Sequence, residues 1–220
     1  MKKVLVLICL IVVVVTTSFA QIPTDGLVGY WPFNGNPNDE SGNGHHGTAY
    51  GATLTTDRFG IDSSAYNFDG ISNRIELGDW FTYNIFTISI WVNAASSQTT
   101  YANIIDNNHG GVTPWQGWVV EQNQDADNAM YFSTVFSDGH EVKSDQFVIS
   151  FDVWEQLVIV KDSAVIKVYI NGNTVNSIPC SGNIAYDGSS NLGLGRWYND
   201  GIKTRFWKGS MDDVRIYNRA

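Results

Sequence analysis

Hydrophobic side chains in this chain recur with a period of two, and almost nowhere with the 3.6-residue period of a helix. In Phe86-Thr87-Ile88-Ser89-Ile90-Trp91-Val92-Asn93 the alternation is clean. Successive side chains of a strand face opposite sides, so Phe86, Ile88, Ile90 and Val92 form an inward face, with Thr87, Ser89, Trp91 and Asn93 outward. Leu27, Gly29, Trp31 and Phe33 repeat the pattern, and 154–160 and 165–170 are rich in β-branched residues. Asn171-Gly172 after the second run marks a tight hairpin, because both central residues of a type I′ turn need positive φ. Further strands are expected over 65–68, 74–77, 103–105, 118–121, 130–135, 141–143, 191–194 and 213–217. A dozen or so short strands between Gly, Asn, Asp and Ser turns predict an all-β chain, a two-sheet antiparallel jelly-roll sandwich.

Residues 1–20 do not share this pattern. Lys2 and Lys3 precede an uncharged apolar run over 4–15, and Ser18-Phe19-Ala20 ends in small residues that a signal peptidase reads. The run is too short for a comfortable membrane span. The expectation is a Sec leader cleaved after Ala20, a secreted or extracytoplasmic chain beginning at Gln21, no membrane span in the mature chain, and one domain over 24–220. Without the two leader lysines, 11 basic side chains face 22 acidic ones, a net charge of −11. That balance argues against nucleic acid or an anionic membrane as partner and suits cation binding. Only Cys180 survives cleavage, so no internal disulfide is available.

Several segments, in order, resemble one family. Residues 26–36 and 39–48 (GLVGYWPFNGN and DESGNGHHGT) look like its opening. Ala65-Tyr66-Asn67-Phe68-Asp69-Gly70 with Asn73-Arg74-Ile75-Glu76-Leu77, then 86–92, then 154–161 with Val168-Tyr169-Ile170-Asn171-Gly172, then Gly195-Arg196 and 209–220 follow at matching spacing. The pattern is similar to laminin-G-like, concanavalin A-like lectin/glucanase jelly-roll domains of secreted bacterial proteins. The resemblance implies a two-sheet jelly roll, usually non-catalytic, often with one structural calcium and in some members glycan binding. Such domains usually run on past the final Arg-Ala; this chain stops at Ala220, so the domain is minimal or the sequence clipped.

The resemblance directs attention to Asp39, Asn43 and Asp212, which would unite the two chain ends on a Ca2+ ion. All three are hard oxygen donors of the kind calcium takes, although the spacing is not that of an EF-hand loop. Their turn or strand-end positions also suit local backbone bonds or water. By strand parity Asp213 points away from Asp212, toward Arg215 or water.

Sugar sites pair flat rings with amides and carboxylates. Trp115 lies in a loop flanked by Asn107 and Asn108 and followed by Gln122, the best such composition in the chain. Trp91 faces the polar side of its strand, and Trp197 opens a second candidate loop. Trp31, Trp154 and Trp207 read as packing residues.

Catalysis finds little support. Retaining glycosidases need two carboxylates flanking the scissile bond, and none of Glu40, Glu76, Glu121, Glu141 and Glu155 sits in such a spacing. No zinc motif or nucleophile elbow appears. The function classes left are a non-catalytic module for an extracellular polysaccharide or glycoconjugate, an adhesion domain meeting a surface protein, and, behind both, a glycoside hydrolase.

Overall fold

The computed structural model describes residues 22–123 and 128–220; the expected leader and its cleavage site lie outside them. Among the described residues there is no helix and eighteen strands. In chain order these are β1 (Leu27–Trp31), β2 (Thr48–Tyr50), β3 (Thr53–Thr55), β4 (Ala65–Asp69), β5 (Arg74–Gly78) and β6 (Phe86–Ala94). Next come β7 (Asn103–His109), β8 (Gln116–Gln122), β9 (Ala129–Val135), β10 (Glu141–Lys143), β11 (Phe147–Val148) and β12 (Trp154–Lys161). The last are β13 (Val165–Ile170), β14 (Asn173–Pro179), β15 (Asn191–Leu194), β16 (Trp197–Asn199), β17 (Ile202–Thr204) and β18 (Lys208–Tyr217).

Sixteen of them build two antiparallel sheets, and β16 and β17 pair with each other. The first runs β14-β13-β12-β6-β18-β4-β3, with β1 also on β18; the second runs β10-β9-β8-β7-β15-β5-β2, with β11 on β9. The all-β jelly-roll sandwich expected from the alternation is what forms. Residues Phe86, Ile88, Ile90 and Val92 are buried as expected, and Ile159, Val168, Val214 and Ile216 line up with them in the first sheet. Trp118, Val120, Phe132 and Ile105 answer from the second. Phe81 packs edge-on to Trp118 and Phe86, with ring centroids 5.3 and 5.2 Å away. Asn171 and Gly172 have φ of 50° and 79°, as the tight turn between β13 and β14 requires.

The sheets differ on their outer faces. In β6, β12 and β13 buried and half-buried residues alternate, as in a sheet with one side facing water. In β7 and β9 every residue is buried, so both faces of these strands are covered. Over β7 the cover is the β16–β17 hairpin. Gly110 N–H donates to Tyr198 O at 3.1 Å and Asn103 N–H to Arg205 O at 2.9 Å, fixing both ends of the hairpin to β7.

Candidate functional site

The closing strand departs from strict alternation at one point. Across β6 the register steps two residues, from Trp91 to Ser89, while β18 steps three, from Asp212 to Arg215. The extra residue is a β-bulge at Asp213, whose φ of 53° lies in the left-handed region that Asp tolerates better than most residues. The bulge corrects the parity expectation. Val214 and Ile216 still enter the core, but Asp212 and Asp213 both bond one guanidinium on the outer side.

That guanidinium belongs to Arg58, in the loop between β3 and β4. Asp57 folds the loop: its Oδ1 accepts the N–H groups of Phe59 and Ile61, each at 2.8 Å. Arg58 then reaches Asp212 with one nitrogen and Asp213 with another, the latter at 2.7 Å. Its guanidinium carbon lies 4.4 Å from the Phe59 ring centroid and 4.8 Å from that of Trp91. Asp213 also takes Arg215 at 2.6 Å. Burial pushes the Asp212 carboxyl up to about 7; Arg58 pulls it down and Asp213 adds to the rise.

Beside this network, on the outer face of the first sheet, is an open cleft of about 670 Å³. Trp91, Trp154, Phe59 and the Ile22-Pro23 segment supply its apolar surface, and Arg58, Asp213, Gln156 and Arg215 its polar groups. Both indoles are half-buried. Gln156 donates through Nε2 to Ser89 Oγ at 3.0 Å. A smaller recess of about 220 Å³ shares Arg58, Phe59 and Asp213 with the cleft and continues to Tyr30 and Asp212.

The outer face of the second sheet carries similar groups under cover. Arg196, fully buried, bonds Asp106 and reaches Glu76 at 2.7 Å and Asn191 Oδ1 at 2.9 Å. It lies flat on β15 at Gly193, where a Cβ would sit 2.4 Å from the guanidinium, so no larger residue fits there. Burial raises the Asp106 carboxyl to about 8 against the pull of Arg196. At Glu76 burial also opposes ionisation, but Arg196 outweighs it and the carboxyl stays below its ordinary value. Arg205 bonds Glu121 at 2.7 Å and stacks on Trp197 at 4.5 Å.

With both faces described, likeness to known proteins can be placed on them. The sequence profile of the concanavalin A-like lectin/glucanases superfamily matches residues 69–220. The chain belongs to this superfamily. No curated protein sequence matches it. Similar solved structures include domain 4 of AbnA, a GH43 extracellular arabinanase from Geobacillus stearothermophilus, in complex with arabinotriose. It has a TM-score of 0.63 and 21% identity over 87% of this chain and 91% of that one. The binding domain of botulinum neurotoxin DC, in complex with SialylT, has a TM-score of 0.62 and 16% identity over 89% of this chain. A mutant Trypanosoma rangeli sialidase displaying trans-sialidase activity has a TM-score of 0.62 and 14% identity over 91% of this chain. The chain spans about half (48%) of the toxin domain and about a third (32%) of the sialidase. At these identities the likeness is one of fold.

On this concanavalin A-like frame the residues singled out in sequence scatter. Trp91 lines the open cleft. Trp115 and Trp197 meet edge to face at 5.6 Å at the second sheet, and Trp197 is buried under the hairpin. Asn107, Asn108 and Gln122 are buried, contrary to the expectation that they surround Trp115 as exposed amides. Asn107 donates to Phe81 O at 2.9 Å, and Asn108 Oδ1 accepts from Tyr198 N–H at 3.3 Å. Strand β7 is longer than 103–105, and its polar end is roofed by the hairpin. Trp31 and Trp207 are packing residues as expected, but Trp154 is not: it lines the cleft. Arg215 bonds Asp213, as the sequence suggested, but its place in the cleft lining, with those of Arg58 and Gln156, was missed; the pairings of Arg58, 154 and 155 residues apart, leave no local signal.

The residues suggested for calcium do not fit that ion as a set. Asp39 accepts four bonds: Tyr30 N–H and Ser41 N–H on Oδ1, Ser41 Oγ–H and His45 N–H on Oδ2, each at 2.9 Å. Burial alone would raise its carboxyl; these donors hold it below its ordinary value. Asn43 turns its amide nitrogen to Val28 O at 3.2 Å, while Asp212 bonds Arg58. Beside Asp212 and Asp213 the cation is Arg58. Among the described residues no group of three or more His, Cys, Asp or Glu converges to hold a metal.

Proposed function

We propose that this chain is a non-catalytic carbohydrate-binding module that takes its sugar in the cleft between Trp91 and Trp154. The cleft itself carries the reading. Its volume of about 670 Å³ lies within the range of small-ligand sites, and its lining joins half-exposed indoles to a few fixed polar groups. Flat rings stack on the apolar faces of sugars, while Gln156, Arg58 and Arg215 offer planar donors to hydroxyls. Of the similar folds, the toxin domain, in complex with SialylT, is a binding domain by its own description, and the arabinanase domain is in complex with arabinotriose. This supports the reading without assigning a sugar.

One observation favours hydrolysis as a second reading. Asp212, pushed up to about 7, stands beside a second carboxyl, Asp213, an arrangement of the kind an acid–base pair uses. But both come from one bulge and grip one guanidinium. They approach from the same side, whereas hydrolysis needs carboxyls on either side of the scissile bond. Binding and hydrolysis separate in one experiment. Retention on immobilised polysaccharides without reducing-sugar release supports the module, and release abolished by Asp212→Asn supports the enzyme. Absence of retention on every sugar removes the proposal and leaves the surface-protein reading, for which Phe59, lining the cleft, stands 72% exposed. We also propose that the chain is exported by cleavage after Ala20, which N-terminal sequencing of the mature protein tests.

A further inference from the structure

The charges that line the cleft answer one another inside the chain. Arg58 is held by Asp212 and Asp213 together, and Arg215 by Asp213. Above about pH 7, where Asp212 has lost its proton, two cations meet two carboxylates, so neither guanidinium offers an unanswered positive charge to a ligand. Arg58 also lies against the Phe59 and Trp91 rings, its guanidinium carbon 4.4 and 4.8 Å from their centroids. An incoming carboxylate or sulfate would have to displace Asp213 from Arg215, or lie beside it as a like charge. The whole chain adds to the exclusion, since acidic residues outnumber basic ones by 22 to 13 even with the leader counted. What remains attractive is an apolar ring face for the two indoles and hydroxyls for neutral or already-paired donors.

We infer that the cleft selects uncharged sugar chains and rejects those bearing uronate, sulfate or sialate groups. The inference rests on the cleft being a sugar site and adds the charge class of the ligand.

The same network supplies the variant that reverses the selection. Asp213→Asn removes one carboxylate and leaves the two guanidiniums in excess. Asn accepts the left-handed backbone at this bulge as Asp does, so the substitution is compatible with the fold; circular dichroism checks this. The test is retention of the mature chain on a panel of immobilised neutral oligosaccharides, arabinotriose among them, beside sialyllactose, polygalacturonate and a sulfated galactan. Each is run at about pH 8.5, where Asp212 is ionised, at low salt and at about 1 M salt, where the screening length falls to about 3 Å. The expected result is retention on at least one neutral sugar with no loss at high salt, no retention on the acidic ones, and a gain on the acidic ones of roughly three- to tenfold at low salt in Asp213→Asn. Retention on acidic sugars that high salt abolishes would overturn the inference and leave the sugar site standing. So would an Asp213→Asn protein, folded, that gains nothing on them. Retention on no sugar at all would remove the site and the inference together.

Discussion

On the outer face of the first sheet, Arg58 and Arg215 bond Asp212 and Asp213 beside two half-exposed indoles. On the outer face of the second, Arg196 and Arg205 bond Asp106, Glu76 and Glu121 under a hairpin that buries Trp197. The side-chain inventory is nearly the same: arginines, carboxylates and tryptophans on a β-surface. The difference is whether the chain passes back over them. Residues 195–206 cross β7 and close the second face; over Trp91 and Trp154, among the described residues, there is only the short 57–61 loop and the Ile22-Pro23 edge. Composition near a tryptophan therefore does not mark a binding surface. The path of the backbone decides, and it turns the same groups into a clasp on one side and a cleft on the other.

The strongest way to break this contrast is to remove one arginine from each face. Arg196→Ala leaves the fully buried Asp106 without its guanidinium and Glu76 bonded to Arg74 alone, and should cost about 3–5 kcal/mol in a urea titration. Arg58→Ala should cost less, about 1–3 kcal/mol, because Arg58 is partly exposed where Arg196 is fully buried, and Arg215 stays on Asp213. Equal costs would mean that the open network is as much a structural clasp as the covered one.

Tryptophan substitutions divide along the same line. Trp91→Ala should weaken sugar retention by about tenfold or more, a loss of ~1.5 kcal/mol of ring contact, with a melting temperature close to that of the parent chain. Trp197→Ala should do the reverse. It empties a space beneath the hairpin, against which Gly110 and Arg205 pack, at a cost of about 3–5 kcal/mol, and should leave retention by the folded protein unchanged. If Trp115→Ala or Trp197→Ala abolishes retention while Trp91→Ala does not, the site belongs on the second sheet.

Much of the frame was legible in the sequence because it follows from alternation. The inward set of β6, the Asn171-Gly172 turn and the entry of Val214 and Ile216 into the core all read directly from residue parity. The site was far less legible. Parity fails at a bulge, because one extra residue in β18 puts Asp212 and Asp213 on the same guanidinium, and nothing in a run of Met-Asp-Asp-Val announces it. Asn107 and Asn108 look exposed because amides usually are; their burial depends on a hairpin about 90 residues further on, which supplies Tyr198 N–H to Asn108. Trp154 failed for the opposite reason, since a strand-opening indole in a hydrophobic run reads as core until its neighbours on β6 and β18 are known.

A smaller effect distinguishes the networks by pH. Asp212 is held above its ordinary value, mainly by burial. Between the unfolded carboxyl value and about 7, the folded state keeps a proton that the unfolded chain has lost. The stability this contributes is full below about 4 and is lost as pH rises through about 7. Asp39 and Glu76, held low, act in the other direction and only at more acidic pH. Over about pH 5 to 8 the parent chain should therefore lose melting temperature at Asp212, and Asp212→Asn should lose about 2–4 °C less. Asp106, raised to about 8 on the covered face, contributes a slope of the same sign that survives in Asp212→Asn. An unchanged pH profile in the variant would show that Asp212 is ionised throughout.

The smallest expected effect is none, and it concerns the cation on the open face. A calcium bridging Asp39, Asn43 and Asp212 would bind the folded chain alone and stabilise it in proportion to RT ln(1 + [L]/Kd), about 2.7 kcal/mol at a hundredfold excess over Kd. The geometry provides that coupling differently. The Asp39 carboxylate is filled by four N–H and O–H donors, and Asp212 is answered by Arg58, a positive group already within the chain. For the metal to enter, Arg58 would have to leave both carboxylates and Asp39 would have to give up backbone donors that shape its loop. Excess chelator should accordingly leave the melting temperature where it was, in the parent chain and in Asp39→Asn alike. A fall of several degrees on chelation, absent in Asp212→Ala, would place a divalent ion beside the Arg58 network and make the open face metal-dependent where the covered one is held by arginine alone.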